Sequence, residues 1–204
     1  QRESIIYREH RAGGVPAHLR PLDEDGWQLL LGEERDAMVD AIMCSIAPAV
    51  LRTRVKQLSA ENKLPELREE ARQDLDGSTL SVVRSIAWAS RFLAVHTPAV
   101  YLDDSDPGTL IAPFARHQSI LIGQGALRGR SLGELAFLVG RHLALRLPEH
   151  ELVAHLNDRD ELTVCFLAAL NVVLGDVPAG ELGSAVDSLT PILSGQQTPE
   201  ERDA

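Results

Sequence analysis

The chain has 204 residues, and 44% of them are hydrophobic, which is enough apolar surface to build the core of a folded domain. Its 30 acidic residues outnumber its 20 basic residues, so the formal net charge is −10. This balance, without any run of lysine or arginine, excludes an electrostatic argument for binding nucleic acid or an anionic membrane.

The N-terminal residues 1–25 predict a linker rather than a folded element, because they are rich in glycine, proline and charge. We expect the chain to be a piece of a longer polypeptide. Residues 33–51 place apolar side chains at three- and four-residue intervals, which predicts an amphipathic helix with Pro48 near its end. Residues 55–77 are charged and contain Pro65, so we expect an exposed arm that is helical or irregular.

Residues 76–96 predict an apolar helix whose cap is Asp76 or Ser78. The hydrophobic period then changes, and AVYLDD, TLIAPF and SILIG are short runs typical of strands. We expect two or three strands, the last two of which pair as a hairpin.

Ser131 and Glu134 stand three residues apart in the pattern of a capping box, which predicts the start of a helix. From Leu132 to Leu147 this helix is apolar nearly all round, and such helices are central in a fold. We expect it to pack against the strands near Val100 and Ile120 and against a later helix that holds Val164, Phe166 and Leu170.

Pro148 begins a short helix, and an acidic cap at 158–161 starts a further apolar helix that stops at Gly175. The longest apolar run, LTVCFLAALNVVLG, is shorter than the roughly 20 residues that span a bilayer. Cys44 and Cys165 lack C-x-x-C spacing, which predicts buried free thiols. We therefore expect a cytoplasmic protein without a membrane span.

The predicted elements suggest a linear organisation along the chain. We expect a linker at 1–25, a single domain at 26–194 with a helical part (26–97) and a strand–helix core (98–194), and a flexible tail at 195–204.

Two strands followed by a capped helix with the motif E-L-A resemble the core of zincin metallopeptidases, in particular the family of the CaaX prenyl endopeptidase. The segment SILIGQGALRGRSLGELAFLVGRHLAL at 119–145 follows the pattern of that family. In the family this helix carries H-E-x-x-H, in which two histidines bind zinc and the glutamate activates a water molecule.

The positions that bind zinc in the family hold other residues in this chain. Carried over one by one, the first ligand is Arg141, the general base is His142 and the second ligand is Leu145. Arginine is cationic and leucine has no donor atom, so neither can bind the metal. The resemblance therefore implies a pseudoenzyme with a zincin-like fold and with no catalytic residue, metal or cofactor.

The chain from about residue 25 onward also resembles a domain of large tetratricopeptide-rich proteins of myxobacteria, through the segment ELAFLVGRHLALRLPEH. This resemblance implies a bacterial parent protein with helical repeats. The fold class that we expect is α+β and predominantly α-helical, with a zincin-like helical core and a small β-sheet of two to three strands.

The function that we expect is a non-catalytic protein-interaction or scaffolding domain within a larger protein. Its partner is a protein or peptide, and neighbouring repeats of the parent are one such partner. A retained cleft could hold a peptide against the segment from Thr109 to Ile122. The candidate residues, either for partner binding or for buried ion pairs, are Glu134, Arg141, His142, Arg146, Glu149 and His150.

Two alternatives belong to other functional classes. The first is a hydrolase or metalloenzyme with a relocated site in 131–155, built from His142, His150 and His155 or from the G-x-S-x-G match at 129–133. The second is a structural cap that closes a helical-repeat array.

Overall fold

The structure, a computed structural model, describes residues 20–31, 36–106, 108–156 and 158–196. Most of the predicted linker and the tail beyond residue 196 lie outside the described residues. The described chain is mainly helical and contains a small three-stranded sheet, which confirms the predicted class of an α+β, predominantly helical fold. None of the helices described is long and apolar enough to cross a membrane.

Helices precede and follow one short group of three consecutive strands in the described chain. Among the described residues, three 3-10 turns lie at Glu69–Ala71, Pro148–His150 and Gly180–Leu182. In chain order the described elements are α1 (Glu24–Leu31), α2 (Ala37–Ala60), α3 (Ser81–Leu93), β1 (Ala99–Asp103), β2 (Leu110–Ile111), β3 (Ser119–Gly123), α4 (Gln124–Leu127), α5 (Leu132–Ala144), α6 (Glu151–His155), α7 (Arg159–Leu174) and α8 (Gly183–Gln196).

The chain divides into two compact units, each made of two separate stretches of sequence. The first unit consists of the described residues within Gln1–Glu33 and Pro65–Ala144, and the second of those within Glu34–Leu64 and Leu145–Ala204. The first unit holds the sheet with α1, α3, α4 and α5, and the second holds α2, α6, α7 and α8.

The sheet of the first unit has the strand order β1-β3-β2. β3 pairs in parallel with β1, with Val100 opposite Ile120, and antiparallel with β2, with Leu110 opposite Ile122. The predicted antiparallel pairing of the last two strands is therefore confirmed. The outer edge of β1 is covered, because the Gln73 N–H donates to the Val100 carbonyl at 2.8 Å.

The core of the first unit lies between α3, α5 and the sheet. Leu135, Val139 and Leu143 of α5 are buried, in the same apolar cluster as Val100 and Ile120. The prediction that α5 packs against the strands is thus confirmed. Burying one such side chain contributes about 1.5–3 kcal/mol, so this stripe is a main source of stability in the unit.

Three details of the predicted helices are wrong. α5 ends at Ala144 rather than Leu147, and its Phe137 is 75% exposed, so the helix is not buried all round. The cap of α3 is Leu80, whose N–H donates to the Ser78 hydroxyl, because the helix begins later than its apolar pattern suggests. α7 belongs to the second unit and packs there on α2 and α8, so its expected contact with α5 stays a prediction.

The second unit is built on α2, which continues through Pro48 to Ala60. A proline inside a helix removes one hydrogen bond and costs about 3 kcal/mol. Here the flanking residues Ile46, Ala47, Ala49 and Val50 are all buried, and this packing maintains the helix beyond the expected end. The predicted limits of α7 are confirmed, since Asp158 caps its start and Gly175, with φ of 76°, follows its end.

Candidate functional site

The N-terminus of α5 is fixed by a capping box, as the sequence predicts. The N–H of Glu134 donates to the Ser131 hydroxyl at 3.3 Å, and the N–H of Ser131 donates to the Glu134 carboxylate at 2.8 Å. The backbone hydrogen bond from Ser131 is the main cause that holds the pKa of Glu134 below its ordinary value. Both side chains are exposed, so Glu134 is a capping residue at the surface.

The three positions that correspond to the zincin ligands and base do not form a common polar face. Arg141 is exposed, and His142 is half-buried with a buried Nε2 atom. Leu145 lies in the turn after α5 and is half-buried. Within the described part of the chain, no group of three or more His, Cys, Asp or Glu side chains is arranged to hold a metal ion.

The six candidate residues fall in both units. Glu134, Arg141 and His142 belong to the first unit. Arg146, Glu149 and His150 belong to the second unit, where the last two lie half-buried in the 3-10 turn at Pro148–His150. The site therefore has to be considered as two separate groups of side chains.

Arg146 is the buried charge of the second group. The residue is 9% exposed, and its Nε and Nη1 atoms have no hydrogen-bond partner among the described residues. Burial lowers the pKa of Arg146, and the negative charge of Glu151 acts in the opposite direction. A buried guanidinium with donors left unsatisfied destabilises the fold locally.

α5 also presents an outer face that the sequence interpretation missed. Gly133, Glu134, Phe137 and Arg141 are all exposed. At about 100° per residue they fall within an arc of roughly 100°, opposite the buried stripe of Leu135, Val139 and Leu143. The sequence contained a signal for this face, because in a regular helix Phe137 lies on the side opposite that stripe.

The segment from Thr109 to Ile122, expected to hold a peptide, is for the most part not a free edge. β3 is the central strand and pairs on both sides, so its backbone groups are engaged. β2 is the outer strand on this side and has two residues, Leu110 and Ile111. Strand addition at this place could use β2, but not β3.

Comparison of the chain with protein-family models, with curated proteins and with solved structures gave no significant match.

Proposed function

We propose that the chain is a non-catalytic protein-interaction or scaffolding domain and that it uses the outer face of α5 to contact a protein partner. The observation that carries the proposal is the exposure of Phe137, at 75%, on a helix whose other side forms the core. Burying a phenylalanine contributes about 1.5–3 kcal/mol, so contact of this side chain with a partner would stabilise a complex.

The residues around Phe137 suit an interface. Arg141 lies one turn further along the same face, and aromatic residues and arginine are enriched at protein interfaces. At Gly133, on the preceding turn, a Cβ would meet no atom within 4 Å beyond its neighbours and its own helix backbone. A partner could therefore approach the helix backbone closely beside the aromatic ring.

The chemistry at the ligand positions supports the non-catalytic part of the proposal. We propose a distant relation to the zincin family, in which the residues that correspond to positions 141 and 145 of this chain bind the metal. Arg141 and Leu145 cannot bind it, because one is cationic and the other has no donor atom. Neither Cys44 nor Cys165 is part of a disulfide, which supports a reducing, cytoplasmic location.

Site-specific photo-cross-linking tests the proposal directly. The full chain is produced in its native cells with p-benzoyl-phenylalanine in place of Phe137, and separately in place of Val173, which is 79% exposed on α7. We expect discrete cross-linked protein products from position 137 that are absent from position 173. The same products from both positions, or none from position 137, would contradict the proposal.

The identity of the product separates scaffold from cap. A cross-link to a separate protein supports a scaffolding role. A cross-link to repeats of the parent polypeptide supports a contact that closes a repeat array. In either case Phe137→Glu should abolish the complex while leaving the fold intact, because the side chain is exposed in the folded chain.

A further inference from the structure

A groove of about 510 Å³ lies on the second unit between α2, α7 and α8. Its lining is mostly apolar. Val50, Leu156 and Cys165 are buried at its base, and Val164, Leu189 and Ile192 are half-buried along its walls. Partly exposed apolar side chains lining a concave surface are typical of a binding site.

The dimensions of the groove match two turns of a helix. α2 lines it with Val50, Thr53, Arg54 and Gln57, and α8 lines it with Ala185, Ser188, Leu189 and Ile192. Each set spans eight residues, from position i to position i+7, and seven steps of about 1.5 Å give a length of roughly 10 Å. Apolar anchors at positions i, i+3, i+4 and i+7 of an occupant helix cover the same distance.

One end of the groove is acidic. Asp158, Asp160 and Glu161 stand there with Arg54, which leaves two negative charges in excess. Arg54 Nη2 lies 3.7 Å from Glu161 Oε1, and the two side chains are 43% and 47% exposed. Such an exposed pair contributes little to stability, so Glu161 can exchange Arg54 for another cation at little cost.

The walls of the groove determine which secondary structure an occupant can use. All three elements are helices, whose backbone groups are bonded within each helix, so the groove offers no strand edge for an extended peptide. A helical occupant needs contacts from its side chains alone. Its apolar stripe would contact the groove, and its basic residues would lie beside the acidic end.

We propose that this groove binds an amphipathic helix of a partner protein that carries lysine or arginine beside its apolar stripe. The site shares no residue with the outer face of α5, because all residues that line it belong to the second unit. It therefore does not depend on the function proposed above.

Two synthetic peptides of about 18 residues, long enough to form helix on binding, test the proposal. They share leucines at i, i+3, i+4 and i+7 spacing and carry lysine or glutamate at all other positions. Each peptide carries a fluorescent label, and its anisotropy is measured as the full chain is added. The lysine peptide should bind with 1:1 stoichiometry. The glutamate peptide should bind at least about tenfold more weakly, because its charge repeats that of the groove.

Variants of the chain locate the binding site. Ala185 lines the groove and is exposed, so Ala185→Lys places a long cationic side chain in it with little effect on folding. We expect this variant to bind the lysine peptide with an affinity that is lower by about tenfold or more. Val173→Lys, on exposed α7 surface outside the groove, makes the same charge change and should leave binding unchanged.

A second matched pair tests the charge. Glu161→Gln should lower the affinity for the lysine peptide by about two- to fivefold, as expected for an exposed ion pair. Glu66→Gln, an exposed position in the first unit, makes the same change in net charge and should have no effect. Circular dichroism and urea unfolding establish that each variant is folded.

Three results would overturn the proposal. The first is no binding of the lysine peptide, and the second is equal weakening by Ala185→Lys and Val173→Lys, which would indicate general attraction to an acidic protein. The third is that the chain sediments as a dimer and the Ala185→Lys variant as a monomer. The groove would then be occupied by a second copy of the chain.

Discussion

The backbone N–H and the hydroxyl of Ser131 both donate to the same carboxylate oxygen of Glu134, each at 2.8 Å. In return, the Glu134 N–H donates to the Ser131 hydroxyl oxygen at 3.3 Å. This reciprocal pair closes the first turn of α5, the helix that supplies both the core stripe of the first unit and its outer face.

Glu134→Gln should make stability less dependent on pH. Hydrogen bonds from Ser131 favour the charged form and hold the pKa of Glu134 below its ordinary 4.5. The stabilising contribution is therefore complete above that value and is lost as the pH falls through the lower folded pKa. We expect the Tm of Glu134→Gln to lie below that of the parent at pH 7 and to approach it as the pH falls below the folded pKa of Glu134. Thermal melts followed by circular dichroism measure this, and a constant difference across the range would contradict it.

Local features of the fold could be predicted because they depend on neighbours in sequence. The capping box needs a serine and a glutamate three residues apart, and the cap of α7 needs Asp158 at its start. The paired strands were also recognisable from their β-forming residues. The order β1-β3-β2 was not, because the parallel pairing of β1 with β3 joins strands that are not consecutive in the sequence.

Features that depend on distant contacts could not be predicted. Pro48 marks a helix end by local rules, but buried neighbours on both sides keep α2 helical. Helical periodicity places Phe137 opposite the buried stripe of α5, but whether another element covers it there depends on contacts distant in sequence. The boundary between the units at Ala144 and Leu145 falls inside an apolar run without glycine or proline, so nothing in the sequence marks it.

Arg146→Met should stabilise the chain. The substitution removes a buried guanidinium whose Nε and Nη1 atoms have no partner among the described residues, and it keeps a similar side-chain length. We expect the free energy of unfolding to rise by about 1–3 kcal/mol in urea denaturation. Arg141→Met, at an exposed position of the first unit, is the control and should change it by less than about 0.5 kcal/mol. A loss of stability in Arg146→Met would instead show that Glu151 compensates the buried charge.

Gly123→Ala and Gly140→Ala should have opposite effects. A Cβ at Gly123 would lie 2.5 Å from the carbonyl oxygen of Gly108, so the end of β3 would have to shift, with a loss of about 1–3 kcal/mol. A Cβ at Gly140 meets no atom within 4 Å, and the higher helix propensity of alanine should add about 0.5–1 kcal/mol. Chemical denaturation measures both, and stabilisation by Gly123→Ala would refute the steric argument.

Cys165 should react slowly with alkylating reagents while the chain is folded. Burial raises the pKa of its thiol to about 11, and the charge of Glu161 adds to the effect. Relative to an ordinary pKa of 9.0, the thiolate fraction at pH 8 falls about a hundredfold. Iodoacetamide pulses followed by peptide mass spectrometry should show this delay, and unfolding in urea should remove it. Equal rates in both states would indicate that the thiol is accessible and ionises normally.

The interleaved order of the two units determines when each can form during translation. α2 ends at Ala60, whereas its partners in the second unit follow Leu145. At about 5–20 residues per second, a ribosome needs roughly 4–17 s to make the intervening segment. During that interval the apolar side chains of α2 around Ile46 and Val50 have no native partner from their own unit. The nascent chain should therefore depend on chaperones most strongly after Ala60 has emerged and before α7 has, and cross-linking of ribosome-bound chaperones to a series of stalled nascent chains would reveal that window.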